Sequence, residues 1–394
     1  MAKSARLDRN LVWEIGVVSK MKNSESICGD QCVYDKDRNG ATIILSDGLG
    51  SGVKANILST LTSTMLSTML HGSIPLEEAV STVAATLPIC SVRHLAYATF
   101  TIVTAEGRSV RLVQYDNPPA VFLKAGKSQR YSYSVHFVQD KELHESTFHF
   151  SPGDCLILFS DGVAEAGRGV TTYDGWPRAE MEDFLARNWT PDVSAQRIAA
   201  RMLSTVQALD LDELHDDTTI AVLRLRERRP VNLMIGPPEN KDDDLGTMRL
   251  FFAKEGLHAV CGGTTAKAVA KYLNTRVHLL PDTGTDEIPP MSMIQGVDLV
   301  TEGAVTLSVA VELLKDYPID GMIALDMERR KDGAAKLAEM LMEDATEINL
   351  FFGNAANTAQ DDTEFSFERK LKLVNELQDI LKASNAVVFA RDLK

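Results

Sequence analysis

Ile43-Ile44-Leu45-Ser46-Asp47-Gly48-Leu49-Gly50-Ser51-Gly52 is the stretch on which the reading of this chain turns. An apolar run leads into a carboxylate, and a glycine-rich turn follows. The phrase recurs as Leu156-Ile157-Leu158-Phe159-Ser160-Asp161-Gly162. A carboxylate at the end of a buried strand is costly unless something compensates its charge. Glycine beside it lets a backbone carbonyl approach the same cation. Two more acidic stations, Cys28-Gly29-Asp30 and Asp216-Asp217-Thr218-Thr219, complete the set within the first 225 residues. Carboxylates, a carbonyl and water are the ligands of Mg²⁺ or Mn²⁺. Two such ions about 3.5–4 Å apart form a clamp for in-line displacement at phosphorus. Any one Asp-Gly pair is more often a plain turn. The set, its order and the two Ser-Asp-Gly strand ends carry the metal reading.

The 394 residues allow two or three domains with a sizeable core. At 44% hydrophobic and 24% charged residues, the composition is that of a globular protein and not of a disordered one. No apolar run approaches the roughly 18–20 residues of a membrane span. The polar start, Met1 to Asn10, has no apolar signal core, so the expected location is cytoplasmic. Five scattered cysteines (Cys28, Cys32, Cys90, Cys155, Cys261) fit reduced thiols better than a disulfide framework. Cys28 and Cys32 lack a second Cys or His pair, which disfavours zinc. The net charge is −14, and no basic stripe stands out. Residues 1–230 carry 24 Lys/Arg against 28 Asp/Glu, and residues 231–394 carry 17 against 27. Nucleic acid and anionic membranes are therefore not expected partners.

Arg226-Glu227-Arg228-Arg229-Pro230 marks a boundary between domains at 1–226 and 231–394. The first region reads as strands in meander order, with helices in blocks over Val53–Leu70, Pro75–Leu87 and Pro191–Leu209. That pattern predicts an α+β domain of packed sheets. The second region alternates strand-like runs (Val231–Ile235, His258–Cys261, Asp298–Val300, Gly321–Leu325, Ile348–Phe352, Ala386–Ala390) with helical segments. It predicts an α/β, doubly wound parallel sheet.

The order Gly-Asp, Asp-Gly-x-Gly-x-Gly, Ser-Asp-Gly, Asp-Asp-x-Thr resembles the metal-dependent (PPM-type, or type 2C) serine/threonine protein phosphatases. The match is to the bacterial branch typified by the stage II sporulation protein E phosphatase. It covers roughly residues 10–225 and leaves residues 231–394 unrecognised. The resemblance implies a central β-sandwich flanked by helices, with two Mn²⁺ or Mg²⁺ ions at one end. It implies that Asp47 bridges both ions and the Gly48 carbonyl binds one. Asp161 and Asp216 bind the first ion, and Asp30 lies beside the second, while Asp217 supports the site. Asp47, Asp161 and Asp216 are thus the implied catalytic set. Its implied substrate is a phosphoserine or phosphothreonine on a regulatory partner of the anti-sigma-factor antagonist (STAS) type.

Several positions depart from the family pattern. Leu49 stands where many type 2C enzymes have a His that serves the leaving group. Gly29-Asp30 replaces a common Glu-Asp, which removes one carboxylate near the second ion. The Arg that often precedes this pair to bind phosphate is missing; Lys20 or Lys22 could substitute, although surface lysines are usually only solvated. The Ser/Thr/Met-rich segment Leu61–Leu70 reads as core packing, with a regulatory switch or homodimer surface as the alternative. Asp116-Asn117-Pro118-Pro119 reads as an architectural turn.

In residues 231–394, glycine-rich loops follow the strand-like runs. Gly262-Gly263-Thr264-Thr265 opens a helix and offers N–H groups to a small-molecule or anionic ligand. It is neither a Walker loop nor a dinucleotide fingerprint, and an ordinary strand–helix turn explains it too. The expected enzyme is a phosphatase regulated by its acidic second domain. The competing readings are a pseudophosphatase that binds a phosphoprotein with little turnover, and a separate activity in the second domain.

Overall fold

Period-2 alternation of buried and exposed residues builds two facing sheets from the N-terminal part of the chain. The structure, a computed structural model, describes residues 7–86, 98–139, 141–237, 244–317, 321–353, 367–383 and 387–393. It divides into two units, residues 1–227 and 228–394. Cys90, Leu87, Tyr97, Ala386 and the loop residues 238–240 and 354–357 lie outside the described residues.

The first unit runs β1 (Leu11–Lys20), β2 (Asp30–Lys36), β3 (Gly40–Gly48), α1 (Gly52–His71), α2 (Leu76–Thr86), β4 (Ala98–Glu106), β5 (Ser109–Tyr115), β6 (Val121–Lys124), β7 (Lys127–Gln129), β8 (Ser134–Val138) and β9 (Lys141–His149). It continues through β10 (Cys155–Phe159), α3 (Asp161–Ala164), α4 (Arg178–Asn188), α5 (Ala195–Leu209) and β11 (Thr218–Glu227). One sheet has the order β1-β11-β10-β6-β7, and the other β2-β3-β4-β5-β9-β8. Between them lies a core of Trp13, Ile43, Leu45, Val103, Leu112, Phe148, Phe150, Leu156, Leu158 and Leu223. This is a β-sandwich with helices on its outer faces. α2 and part of α1 cover Ile44, Ile102 and Val113 of the larger sheet.

α5 lies on β1 and β11 of the smaller sheet. It begins at Ala195, four residues after the predicted start at Pro191, because the Ser194 hydroxyl caps it by accepting from Arg197 N–H. Contact is close enough to require glycine at position 16, where a Cβ would stand 2.2 Å from the Gln196 nitrogen. The Gln196 side chain accepts from Val17 N–H and donates to Val17 O, at 2.9 and 3.0 Å.

α1 buries Ala55, Leu58 and Leu66 but is not cleanly amphipathic. It buries Ser59, Thr62 and Ser63 and exposes Val53, Ile57 and Leu61. Ser59 and Ser63 satisfy their hydroxyls on the Asn56 and Ser59 carbonyls of their own helix. Met65 and Met69 pack against the core, as expected of adaptable side chains.

The second unit runs β12 (Pro230–Ile235), α6 (Asp244–Phe252), β13 (Leu257–Cys261), α7 (Gly263–Tyr272), β14 (His278–Leu279), β15 (Ser292–Met293) and β16 (Leu299–Thr301). α8 (Ala304–Asp316), α9 (Ile323–Arg329), α10 (Gly333–Glu339), β17 (Glu347–Gly353), α11 (Phe367–Ala383) and β18 (Val387–Leu393) follow. The sheet order is β14-β15-β16-β13-β12-β17-β18, parallel from β16 to β18. Met234, Val260 and Phe351 face α6 and α7; Leu233, Ala259 and Leu350 face α8, α10 and α11. Burial on both sides explains the nearly unbroken apolar runs of β12 and β17.

Gly321–Leu325 is not a strand. Its apolar residues begin α9, which buries Ala324, Leu325 and Met327. Met, Ala and Leu favour a helix, and a short apolar run does not show its period. Among the described residues no helix is long and apolar enough to cross a membrane.

The Gly16 contact yields a direct expectation. Gly16→Ala should lower stability by about 1–3 kcal/mol, as overpacking does, read as a lower midpoint at unchanged slope in urea denaturation.

Candidate metal centre

Register brings the four acidic stations to one end of the sandwich. Asp30, the first residue of β2, pairs with Asp47 near the end of β3. Asp161 lies two residues past the end of β10, at the start of α3, and Asp216-Asp217 precede β11, the neighbour of β10. The two Ser-Asp-Gly phrases do parallel work. Ser46 donates to Thr99 O on β4 at 3.0 Å, and Ser160 accepts from Thr219 N–H on β11 at 2.9 Å. Each serine is fully buried and fixes the strand end that carries its aspartate.

Both glycines of these phrases are demanded by packing. A Cβ at Gly48 would lie 2.0 Å from Ala55 O, and one at Gly162 would lie 2.3 Å from Asp217 O. Gly29 has a similar reason: a Cβ there would stand 2.7 Å from Asp217 Oδ2. Asp217 fills the room that a side chain at 29 would need. Its Oδ1 accepts from Lys22 N–H at 3.1 Å, in keeping with a supporting role.

Asp30 is 3% exposed, and neither of its carboxylate oxygens has a hydrogen-bond partner. A buried, unpartnered carboxylate is strongly unfavourable as an anion. Its pKa is pushed up, first by burial, against the Ser160 and Thr219 hydroxyls, which lie nearby but are bonded elsewhere, and with the Asp217 and Asp161 charges adding. Asp47 is pushed up by burial and then by Asp30, Asp161 and Asp216. Asp161 is raised by burial and then by Asp216. These causes record the mutual proximity of four carboxylates. Orphaned oxygen donors within a like-charged cluster suit a hard divalent cation. Asp30, Asp47, Asp161 and Asp216, with the Gly48 carbonyl, could hold such ions. Among the described residues, no group of three or more His, Cys, Asp or Glu side chains already stands ready around one point. Repulsion between the carboxylates opposes that closure until a cation offsets it.

Lys22 is not merely solvated. Its ammonium lies 3.5 Å from Asp216 Oδ1, and its side chain is 16% exposed. No motif marked it; the signal lay only in its place just past β1, beside the start of β11. Lys20 is exposed. The turn after β5 also reaches this end. Thr99, opposite Asp47, donates to Asn117 Oδ1 at 2.5 Å, and Asn117 donates to Thr101 Oγ1 at 3.0 Å. Asp116 takes a left-handed backbone, φ 59°, which Asp tolerates better than most residues.

In the second unit, Gly262 takes φ 121° and precedes α7, and its carbonyl accepts from Ala266 N–H. Gly263, Thr264 and Thr265 form the first turn of that helix.

Residues 37–226 match the family model described as Stage II sporulation protein E (SpoIIE). The chain is 24% identical over 192 residues to stage II sporulation protein E of Bacillus subtilis (strain 168), covering 47% of this chain and 22% of that protein. It is 21% identical over 225 residues to stage II sporulation protein E of Priestia megaterium, covering 56% and 37%. The chain thus spans well under half the length of either relative. A solved structure of the PP2C phosphatase domain and a fragment of the regulatory domain of SpoIIE from Bacillus subtilis aligns at 20% identity. That alignment has a TM-score of 0.48 and covers 56% of this chain and 65% of the other.

The raised carboxylates set a stability dependence on pH. Above the ordinary carboxylate range the unfolded chain has released these protons while the folded chain retains them. Stability therefore falls as pH rises through that window. In EDTA, the melting temperature should drop between pH 5 and pH 8, and Asp30→Asn should flatten that drop. Added Mn²⁺ should reverse it in the wild type by binding the ionised form.

Proposed function

We propose that this chain, whose residues 37–226 match the SpoIIE family model, hydrolyses phosphoserine or phosphothreonine on a partner protein with the help of divalent metal. The unpartnered Asp30 carboxylate, buried among Asp47, Asp161 and Asp216, carries this reading. Asp47 would bridge two Mn²⁺ or Mg²⁺ ions, Asp161 and Asp216 would hold the first, and Asp30 and the Gly48 carbonyl would complete the set. When bound, such ions supply an acidified water and neutralise phosphoryl oxygens.

The chain's own residues do the rest. Ser46 and Ser160 hold the two strand ends and so fix the spacing of Asp47 and Asp161. Asp217 anchors the backbone of Lys22. Lys22 pairs with Asp216 and would turn its ammonium to a phosphoryl oxygen, in the role that Arg takes in many relatives. Leu49 offers no proton, so the leaving group would draw one from water or from another acid. The partner would be a regulatory phosphoprotein of the STAS type, by analogy with the family. We read the second unit as a doubly wound sheet that senses a small molecule or docks a partner, with Gly262–Thr265 as the candidate ligand turn. A cytoplasmic location fits this reading.

Manganese-dependent release of phosphate from p-nitrophenyl phosphate is the test. Asp47→Asn should lower kcat about 100- to 1,000-fold, the scale expected when a central electrostatic group is lost. Lys22→Met should raise KM with a smaller effect on kcat, and Lys22→Arg should restore most of it. Wild-type and Asp47→Asn proteins equally inactive on this ester and on phosphopeptides would favour a binding-only pseudophosphatase.

A further inference from the structure

The two sheets of the sandwich do not end together. β7, the last strand of the smaller sheet, has three residues. The larger sheet continues through β9 to β8, which ends it among the described strands. Residues directly opposite in an antiparallel pair share a face. Leu112 and Phe148 of β5 and β9 face the inter-sheet core. By alternation, Gln114, Glu142 and His144 share that face. So do Val135, opposite His144, and Phe137, opposite Glu142. Phe148 is covered there by Phe122 and Tyr131. Farther along, the cover stops: Val135 is 44% exposed and Phe137 69%. Tyr133 stacks on His144 with centroids 4.2 Å apart and is itself 54% exposed. An inner sandwich face is thus left open and apolar at its rim.

This open face is continuous with the acidic centre. A cavity of about 930 Å³ is lined by Tyr133, His144 and Gln114 on one side and by Asp161 on the other. Its charged walls are mixed, Arg130 and Arg178 against Asp116, Glu142, Asp161 and Glu182, so wall charge alone does not draw in a phosphorylated chain. Arg178 is committed to Glu182 and to the Pro119 and Ala120 carbonyls.

We infer that this cavity and the Val135–Phe137 rim dock an extended segment of the phosphoprotein substrate, with the phosphorylated residue at Asp161 and an aliphatic side chain on Val135 and Phe137. The inference rests on the phosphatase reading and adds to it the route by which a substrate is chosen. Asp161 follows β10 in the smaller sheet and β8 belongs to the larger one, so the bound segment crosses from one sheet to the other. β8 also presents an outer backbone edge to which an extended chain could add.

The test is fluorescence anisotropy with the full-length protein and two labelled phosphothreonine peptides. They differ only in carrying Leu and Val, or Gly and Ser, throughout the positions about three to six residues from the phosphate, on both sides. The wild type should bind the Leu-Val peptide at least about fivefold tighter. Phe137→Glu and Val135→Glu should each erase that preference, while Leu245→Glu, an exposed site on α6, should keep it. Equal affinity of the wild type for both peptides overturns the inference, as does a preference that survives both β8 substitutions in proteins melting like wild type. Binding is read without turnover, so the two readings fail separately. A wild type that shows the preference but never hydrolyses p-nitrophenyl phosphate refutes the phosphatase and leaves the docking face standing.

Discussion

Carboxylates that repel one another are held at a single sandwich end, and the rest of the first unit is arranged around that repulsion. Asp30 and Asp47 are cross-strand partners, so β2–β3 pairing alone places two acids side by side. β10 and β11 bring in Asp161 and Asp216 from the other sheet. Asp30 and Asp47 cannot part without losing strand pairing. A fold assembles such a cluster at a cost, which the proposed divalent cation would offset. The buried serines, the tight glycines at 48 and 162 and the Lys22 ammonium all serve to hold or offset these charges.

The sandwich supplies rigidity at this end and openness beside it. Thr99 and Asn117 tie the turn after β5 to the strand opposite Asp47. The same turn borders the cavity that leads to the uncovered face of β8 and β9. Chemistry and recognition would then share one scaffold: a metal centre at the strand ends, and a sheet face that the shorter sheet fails to cover. On the opposite, outer side, the mixed burial of α1 leaves Val53, Ile57 and Leu61 in solvent, close in sequence to Gly48.

Much of the centre was legible because its chemistry is local. Ser-Asp-Gly after an apolar run states a strand, its end and a carboxylate within seven residues, and two copies fix two sides of the site. Lys22 was offered only beside Lys20 as a stand-in for the missing Arg, because its pairing with Asp216 depends on β1 running beside β11, far away in sequence. The reason for Gly29 was hidden likewise, since Asp217 enters its space from a distant segment. Gly321–Leu325 misled for a different reason: five apolar residues cannot report a period, and the helix preference of Met, Ala and Leu decided the outcome. The open inner face could not be read at all. Alternation in β8 says only that Tyr133, Val135 and Phe137 share a side; the missing cover is a property of the opposing sheet.

Anomalous diffraction at the manganese edge, on crystals grown with Mn²⁺, tests the central claim most directly. The account predicts a peak bounded by Asp47, Asp161 and Asp216, and a second within about 4 Å of it on the Asp30 side. Crystals saturated with Mn²⁺ that show no peak among these four carboxylates would contradict it.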